Sequence, residues 1–322
     1  MASDLRKESF RKKASNLYRH SELGYHLVRP FYKIYESILM VIPDEVIVKS
    51  SFKKHMGYDL DLNNPQTLNE KINWLKLYNK EDIHTLIADK YKVRSYIKEK
   101  IGEQYLIPLL YDTDNSDDIT PENLPNTEFI IKTNHDSSGG VIVRDKLVVD
   151  WPKTRKRFKK LLKENNFYST REWQYKNIVP RIVVEKLLTN EDGSIPDDYK
   201  LHCFNGKVQF IGVDLDRHKD NRARNLYDIH WNLMPCNWGR PNGKDLPRPS
   251  NFEEMIMLAE KLAEGFIYLR VDFYSVKGKT YFGELTLHQS SGFRKFWQHE
   301  CDEKLGKLLD ITDIKNKSTP SL

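Results

Sequence analysis

The chain has 322 residues, of which 39% are hydrophobic and 30% are charged, a balance typical of a globular protein with room for two or three modest domains. Its 52 lysines and arginines outnumber its 46 acidic residues, and the net charge of +6 favours anionic partners such as nucleotides, sugar acids, phosphates or membrane headgroups. No apolar run reaches the roughly 18 residues of a transmembrane helix and no signal-peptide core is present, so we expect a cytoplasmic protein rather than an integral membrane protein.

Residues 1–60 predict a basic helical extension with few strand signals. Its most apolar stretch, residues 26–43, is interrupted by Arg29, Lys33 and Glu36. Such a helix can lie on a membrane surface or pack against the rest of the chain. Both interpretations stay open, and the first would place the protein at the inner face of a membrane.

Residues 61–125 predict mainly helices. Thr67 and Glu70 have the spacing of an N-terminal cap and precede an apolar helical pattern. A second helical pattern is closed by Gly102. The segment "QYLIPLLYD" (residues 104–112) then predicts a strand.

Residues 126–188 predict a hairpin, a helix and a buried strand. Two β-runs, Phe129–Lys132 and Val141–Val143, flank a polar glycine loop, which indicates a hairpin with a flexible tip. "WPKTRKRFKKLLKEN" is a basic helical pattern. "IVPRIVVEKLL" (residues 178–188) is a continuous apolar run, typical of a central strand.

Residues 189–322 predict antiparallel strands around a helix. Asn205-Gly206 is a strong hairpin dipeptide, and Lys277-Gly278 joins the last two strands, "YLRVDFYSV" and "KTYFGELTL". "FEEMIMLAEKLAEGF" has helical apolar spacing. The chain as a whole is therefore predicted to be α+β.

The three cysteines carry no metal or disulfide signature. Cys203, Cys236 and Cys301 are far apart, odd in number and lack a C-x-x-C spacing. We expect reduced thiols in the core of a cytoplasmic protein.

Lys132 ends an apolar strand and is followed by a loop rich in small residues. Small residues allow backbone N–H groups to approach a ligand closely, and a lysine beside them suits a polyphosphate. An ordinary hairpin with an edge lysine fits equally well, and the Walker spacing is absent. Glu185 closes the buried strand, either as a surface acid or as the start of a hinge that presents its backbone to a purine.

Two acids lie on the last two strands. By the two-residue alternation of a strand, Asp272 shares a face with Arg270, and Glu284 shares a face with Thr286. Burying two acids is costly unless something positive lies between them. Mg²⁺ would suit the oxygen ligands, and a buried arginine–carboxylate pair without metal is the alternative.

Several longer stretches in this order resemble one family: "TLNEKINWLKLY", "DKYKVRSYIKEKIGEQYLIPLL", "FIIKTNHDSSGGVIV", "REWQYKNIVPRIVVEKLL", "DYKLHCFNGKVQFIGVD" and "RVDFYSVKGKTYFGELTLHQSSGF". Together they resemble the TupA-like ATP-grasp branch, named for teichuronopeptide biosynthesis and found in bacterial polysaccharide gene clusters. The resemblance covers roughly residues 60–300. It implies an α+β ATP-grasp fold in which two subdomains clamp ATP, here behind a helical N-terminal extension. The implied domains are 1–60 (extension), 61–125 (helical region), 126–188 (subdomain with glycine loop and hinge) and 189–322 (subdomain with metal and catalytic strands).

The resemblance also implies site residues. Those that would contact ATP are Lys90, Lys132, Ser137, Ser138, Gly139, Gly140, Glu185, Lys186, Leu187, Leu188, Asp192 and Lys200. Arg270 and Lys200 would act in catalysis, and Asp272 and Glu284 would hold Mg²⁺. The superfamily usually has Asn two residues after the metal glutamate, where this chain has Thr286, so a direct bond from Thr286 to the metal is doubtful. The expected substrate contacts are His202, His288 and Arg217.

The function that the resemblance implies is that of an ATP-dependent carboxylate–amine ligase working through an acyl-phosphate. Its expected cofactors are ATP and Mg²⁺, and its expected partners are an amine or amino acid and a carboxylate donor, such as a uronic acid of a bacterial surface polysaccharide. A sugar or polysaccharide kinase on the same fold and a non-catalytic assembly subunit are the alternatives. Nucleic acid is not expected as a partner, because the basic residues form no stripe interleaved with exposed aromatics.

Overall fold

The computed structural model describes residues 22–136, 139–215 and 222–318. The chain divides into two compact units, Met1–Ile47 and Val48–Leu322. The division falls within one helix, α2 (Asp44–Met56).

The described part of the first unit is dominated by helix α1 (Glu22–Val41), which contains Pro30. Apolar side chains of this helix are largely exposed: Leu27 by 59%, Phe31 by 73% and Ile34 by 58%. None of the helices in the described ranges is long and apolar enough to cross a membrane.

In the second unit, three helices follow α2: α3 (Leu68–Tyr78), α4 (Asp82–Ala88) and α5 (Val93–Lys100). The predicted cap of α3 is confirmed as a full capping box. The Glu70 N–H donates to the Thr67 hydroxyl at 3.1 Å, and the Thr67 N–H donates to the Glu70 carboxylate at 2.9 Å. These bonds satisfy N–H groups that a helix start otherwise leaves unpaired.

Within the described residues, the strands form two antiparallel sheets, and the first has four strands. They are β1 (Leu109–Thr113), β2 (Phe129–Thr133), β3 (Val141–Val143) and β4 (Ile182–Lys186), in the order β1-β4-β2-β3. As predicted, β4 lies inside the sheet and Ile182, Val183 and Val184 are fully buried. Helices α6 (Trp151–Leu161) and α7 (Phe167–Thr170) lie between β3 and β4 in sequence, and Trp151 and Phe158 of α6 join the core of this sheet.

The second sheet has five described strands. They are β5 (Asp198–Phe204), β6 (Lys207–Leu215), β7 (Ala223–Tyr227), β8 (Tyr268–Val276) and β9 (Lys279–Thr286), in the order β7-β6-β5-β8-β9. The hairpin at Asn205-Gly206 is confirmed, because both residues adopt positive φ (49° and 81°), as a tight turn between twisted strands requires. Three further helices complete the unit: α8 (Phe252–Ala263), α9 (His299–Leu308) and α10 (Thr312–Ser318).

Both faces of the second sheet are covered. Leu201 and Val271 face the core that contains α8, whereas Phe204 and Tyr268 face the core that contains α2, α3 and α9. On the latter face the alternate positions of β5 and β8 change from apolar at Phe204 and Tyr268 to charged further along both strands. The fold thus brings a group of charges to one end of an otherwise apolar layer.

The expectation of three reduced cysteines is wrong for two of them. Cys236 and Cys301 form a disulfide across a sequence separation of 65 residues, and Cys203 is a buried free thiol. Cys236 lies in the connection after β7 and Cys301 lies in α9. Spacing along the chain could not indicate this pair, because the disulfide depends on how the two segments pack.

Candidate active site

Two adjacent rows of side chains cross strands β5, β8 and β9. The strand register places Lys200 opposite Asp272 and Asp272 opposite Glu284. The neighbouring row consists of His202, Arg270 and Thr286. The two-residue alternation therefore unites the predicted catalytic and metal-binding residues on one face of the sheet.

Arg270 lies between the two acids. Its Nε and one terminal nitrogen donate to the two oxygens of Asp272 at 2.6 and 2.7 Å, and the same terminal nitrogen donates to Glu284 at 2.6 Å. Its other terminal nitrogen donates to the Gln289 amide oxygen. The guanidinium is thus the positive group that makes this pair of acids tolerable, as in the arginine–carboxylate alternative.

The pKa values at this cluster follow from burial and from these charges. Burial raises the pKa of Asp272, although Arg270 and Lys200 oppose the shift. Burial also acts to raise the pKa of Glu284, but Arg270, Lys90, Lys200 and Lys132 together outweigh it and lower that pKa to about 2. The Glu284 carboxylate therefore senses cations from both sheets.

Lys200 is buried and surrounded by acids. Its ammonium pairs with Asp198 and lies 3.5 Å from Asp272 and 3.9 Å from Asp214. Asp214 is in turn held by Arg224, whose Nε donates to it at 2.6 Å. Burial acts to raise the pKa of Asp214, but the hydrogen bonds and charge of Arg224 outweigh it and hold the pKa well below its usual range. Asp198, Asp214 and Arg224 were not predicted as site residues, although Asp198-x-Lys200 has the same two-residue spacing as Arg270-x-Asp272.

The first sheet contributes Lys132 and Glu185. The Lys132 ammonium lies 2.6 Å from one oxygen of Glu185, and Arg94 of α5 approaches the other oxygen at 3.3 Å. Glu185 is therefore an internal partner of cations rather than a surface acid. Lys90 donates to the main-chain carbonyl of Asp136, at the start of the glycine loop.

A buried amide holds the base of that loop. Asn134 Nδ2 donates to the Asp89 carboxylate at 2.9 Å, and Asn134 Oδ1 accepts from the Arg181 N–H at 2.7 Å. Asp89 also accepts from the Tyr91 N–H at 2.9 Å. The segment with Lys90 is thereby tied to β2 and to the segment before β4.

The two predicted loop glycines are required for different physical reasons. Gly139 has φ of 78°, a region that L side chains rarely adopt, and a Cβ on Gly140 would lie 2.5 Å from Ile130. The predicted residues Ser137 and Ser138 lie outside the described residues, as does Arg217.

The predicted hinge follows β4. The Lys186 N–H donates to the Pro108 carbonyl at 3.0 Å and the Leu187 N–H donates to the Glu128 carbonyl at 3.1 Å. Leu187 is buried, and Leu188 is half-buried. Asp192, the predicted ribose contact, is exposed and accepts from Ser194, and these hydrogen bonds lower its pKa.

The structure encloses the two candidate substrate histidines. His202 is 1% exposed, stacks on Phe210 with 4.1 Å between ring centroids, and lies 2.9 Å from the Tyr268 hydroxyl through Nδ1. His288 is also buried, and its Nδ1 lies 4.0 Å from Glu172. Burial, with nearby cations, holds the pKa of each histidine well below its usual value. Both are therefore neutral imidazoles in this arrangement.

A strained turn follows β9, and sequence reasoning missed its role. Ser290, Ser291 and Gly292 all have positive φ (48°, 55° and 67°). A Cβ on Gly292 would lie 2.4 Å from Asn73 of α3. Such backbone persists only where the surroundings over-determine it. The turn places Gln289 against Arg270 and so connects α3 with the charged rows.

Two buried charges hold this turn. The Lys76 ammonium donates to the Ser291 carbonyl at 2.8 Å, and the Ser291 hydroxyl donates to Glu172 at 2.6 Å. Burial lowers the pKa of Lys76 to about 7 and raises the pKa of Glu172. The hydroxyl of Tyr175 also has a pKa well above its usual value because of burial and the charges of Glu172 and Glu284. The segment of residues 171–175 therefore lies beside both the Lys76–Glu172 pair and the cluster of Arg270 and Glu284.

The acids can be tested as a metal site from their geometry. In the described ranges, no three His, Cys, Asp or Glu side chains come together as a metal-binding group. Asp272 and Glu284 nevertheless lie opposite each other on the neighbouring strands β8 and β9. Mg²⁺ is commonly held by one or two carboxylates together with phosphate oxygens. The pair fits an ion that arrives with a nucleotide if Arg270 releases one carboxylate. Thr286 lies in the neighbouring row, opposite Arg270.

Comparison with known proteins identifies the family. The model described as TupA-like ATPgrasp matches residues 70–310, which is most of the chain. A search of curated proteins found no match.

Solved structures give weaker likenesses. D-alanine–D-alanine ligase from Bacillus anthracis, complexed with ATP, is 15% identical, with 63% of this chain and 55% of that chain covered and a TM-score of 0.36. The Helicobacter pylori enzyme is 14% identical, with 80% and 68% covered and a TM-score of 0.42. An N5-carboxyaminoimidazole ribonucleotide synthetase with ADP is 15% identical, with 68% and 51% covered and a TM-score of 0.41. The chain spans only about half the length of the first of these, and scores this low carry no argument about substrate.

The family match agrees with the motifs from which the resemblance was inferred, and the two antiparallel sheets with flanking helices agree with the predicted α+β class. The chain therefore belongs to the TupA-like ATP-grasp family and has an α+β ATP-grasp fold.

Proposed function

We propose that this ATP-grasp enzyme is an ATP-dependent carboxylate–amine ligase that forms an amide through an acyl-phosphate. The observation that carries the proposal is that Arg270 donates to the Glu284 carboxylate at 2.6 Å and that the charges of Arg270, Lys90, Lys200 and Lys132 lower the pKa of Glu284. Lys90 and Lys132 lie on the side of the glycine loop, whereas Lys200 and Arg270 belong to the second sheet. Such a group suits a reaction that must bring a triphosphate and a carboxylate together.

In the state described, internal acids hold these cations: Glu185 holds Lys132, and Asp198 holds Lys200. Triphosphate oxygens would replace the acids as partners of the two lysines. Ammonium groups that are already desolvated and aimed need little reorganisation when charge develops in the transition state. We assign Lys132 and Lys200 to the phosphates, and Lys90 to the same end of the nucleotide.

The adenine would lie against the strand end at Glu185, with Lys186, Leu187 and Leu188 as the hinge and Asp192 near the ribose. Leu187 and Leu188 provide the apolar surface that a purine prefers. Asp272 and Glu284 would hold Mg²⁺, which would neutralise phosphate charge when it is bound.

The chemistry follows from the weak reactivity of a carboxylate. A carboxylate oxygen takes the γ-phosphoryl group and ADP leaves. An amine nitrogen then attacks the carbonyl carbon, loses a proton and displaces phosphate. Arg270 would orient the substrate carboxylate and stabilise its developing charge. The glycine loop, which contains Gly139 and Gly140, would exclude water from the acyl-phosphate when it is closed. No nucleophilic side chain is needed.

We further propose that the carboxylate belongs to a uronic acid of a bacterial surface polysaccharide and that the amine is an amino acid or a simple amine. Support comes from the family's name for teichuronopeptide biosynthesis and from the excess of basic side chains, which suits sugar acids.

The test is an incubation with ATP, Mg²⁺, uronic-acid donors and an amino-acid panel, with ADP, free phosphate and amide product all measured. Hydroxylamine in place of the amine should trap the acyl-phosphate as a hydroxamate. ADP without free phosphate, with the phosphoryl group on the sugar, would show a kinase instead. Absence of both turnover and ATP binding would show a non-catalytic subunit.

A further inference from the structure

Helix α6 is unusually basic, and only the two lysines of its last turn, Lys159 and Lys160, are placed where the helix dipole favours a positive charge. Six of its eleven residues are cationic: Lys153, Arg155, Lys156, Arg157, Lys159 and Lys160. Its first turn has no acidic residue inside the helix, and Lys153 in that turn opposes the helix dipole. Trp151, Thr154 and Phe158 face the sheet, so the cations occupy the solvent side. Lys163 extends the exposed row beyond the helix end.

An apolar pair precedes this helix. Leu147 is 93% exposed, the highest value among large hydrophobic side chains in the described ranges, and Val148 is 80% exposed. Exposed aliphatic residues are normal when they are scattered singly. Two adjacent exposed aliphatic residues beside a cationic helix are less common, and neither side chain is stabilised by burial in the fold.

The turn that carries this pair is held firmly. Asp145 accepts from the Leu147 N–H at 2.8 Å, and the Lys146 ammonium donates to the Pro121 and Leu124 carbonyls at 2.6 and 2.9 Å. The Trp151 indole N–H donates to the Lys146 carbonyl at 3.0 Å and so ties the turn to α6. Leu147 and Val148 therefore project from a rigid base, together with the helix.

We propose that this basic–apolar surface, defined by Leu147, Val148 and the exposed cations of residues 153–163, docks the protein on an anionic lipid bilayer. Lysine and arginine side chains would contact lipid phosphates, and the two aliphatic side chains would enter the boundary between headgroups and acyl chains. An anionic glycan or a nucleic acid would match the charge, but neither explains two outward-facing aliphatic residues. The surface is separate from the candidate nucleotide site, and its function does not depend on the proposed ligase activity.

Docking would also position the base of the glycine loop. His135, next to Asn134 at the base of the glycine loop, lies 3.2 Å through Nε2 from the carbonyl of Leu161, the last residue of α6. A bilayer that holds α6 therefore also holds the base of the glycine loop near the membrane.

The test is cosedimentation of the full chain with vesicles of phosphatidylcholine alone and of phosphatidylcholine with phosphatidylglycerol, at low and physiological salt. We expect binding only to the anionic vesicles. The triple variant Lys153→Gln/Lys156→Gln/Lys159→Gln should weaken binding about 100-fold, since each cation near an anionic surface contributes about fivefold. A control with the same change in net charge replaces exposed lysines elsewhere: Lys277, Lys304 and Lys307 to Gln.

The apolar pair is tested by Leu147→Ser/Val148→Ser, with Val179→Ser as the control at another exposed aliphatic residue (67% exposed). The double variant should weaken binding about tenfold with an unchanged salt dependence, because it removes apolar insertion and leaves the charges.

Four outcomes would overturn the proposal. The first is absence of binding to anionic vesicles, and the second is equal loss of binding in the test and control variants, which would show that only net charge matters. The third is displacement of the protein from vesicles by polygalacturonate, with the double apolar variant unaffected, which would assign the surface to an anionic glycan. Unchanged binding in both test variants would likewise refute it and place the contact elsewhere, such as in the N-terminal extension.

Discussion

Replacing Arg270 by methionine should destabilise the protein strongly, because the guanidinium is the partner of two acids. The Arg270 and Asp272 side chains are 8% and 4% exposed, and three hydrogen bonds connect the guanidinium to the carboxylates of Asp272 and Glu284. Breaking a buried ion pair by removing one partner typically costs about 3–5 kcal/mol. We expect a loss of free energy of unfolding in this range at pH 7.

The dependence on pH makes this prediction sharper. In the wild type the pKa of Glu284 is lowered to about 2, so its stabilisation is complete above its unfolded pKa of about 4.3 and is lost as the pH falls towards 2. In Arg270→Met the pKa of Asp272, which burial already raises, loses its largest opposing charge and rises further, whereas Lys90, Lys200 and Lys132 still act on Glu284. The folded variant then binds more protons than the unfolded chain, so its stability should rise as the pH falls from 7 to about 5.

The assay is urea unfolding of both proteins followed by tryptophan fluorescence at several pH values. Arg144→Met is the control, because its ion pair with Glu128 is 46% and 41% exposed and should be worth about 0–1 kcal/mol. A loss below about 1 kcal/mol in Arg270→Met, with the same pH dependence as the wild type, would show that solvent screens the cluster and would refute this reasoning.

Glu284→Gln should keep the fold and abolish turnover, whereas Thr286→Ala should lower turnover less, because Thr286 lies in the row of Arg270. ADP release across a Mg²⁺ titration compares the two variants. Normal turnover of Glu284→Gln at saturating Mg²⁺ would contradict the metal assignment. Lys132→Ala should weaken ATP binding by about 1.5–3 kcal/mol in calorimetry, the worth of a charge-assisted hydrogen bond, while Lys207→Ala at an exposed ion pair should not. The pKa of Lys76 is lowered to about 7 in the folded protein, so between pH 7 and 10 the unfolded chain binds more protons at this lysine than the folded protein does. The contribution of Lys76 to the free energy of unfolding should therefore increase as the pH rises from 7 towards 10. Lys76→Met should remove that gain, and an unchanged pH profile of urea unfolding would argue against a desolvated ammonium.

Local rules predicted much of the fold. The capping box at Thr67 and the Asn205-Gly206 hairpin depend on neighbouring residues, so their sequence signals are complete. The alternation of side chains along strands likewise placed Arg270 with Asp272, and Glu284 with Thr286, before any strand order was known.

What stayed hidden depends on contacts between distant segments. Gln289 contacts Arg270 from the left-handed turn after β9, and Lys76 and Glu172 hold that turn through Ser291, from which they are 215 and 119 residues away in sequence. The identity of the group between the two acids was similarly undetermined, because an arginine and a metal ion satisfy the same electrostatic requirement.

The disulfide between Cys236 and Cys301 has a topological consequence for the site. The segment it closes contains α8, β8, β9 and the turn with Gln289, so both strands that carry Arg270, Asp272 and Glu284 lie inside a covalent ring. A single backbone cleavage anywhere in this ring would leave the two pieces joined as one molecule, and they would separate only after reduction. Arg270, Asp272 and Glu284 therefore stay in one covalently connected molecule after such a cleavage, whereas Lys200 and His202 of β5 lie outside the ring.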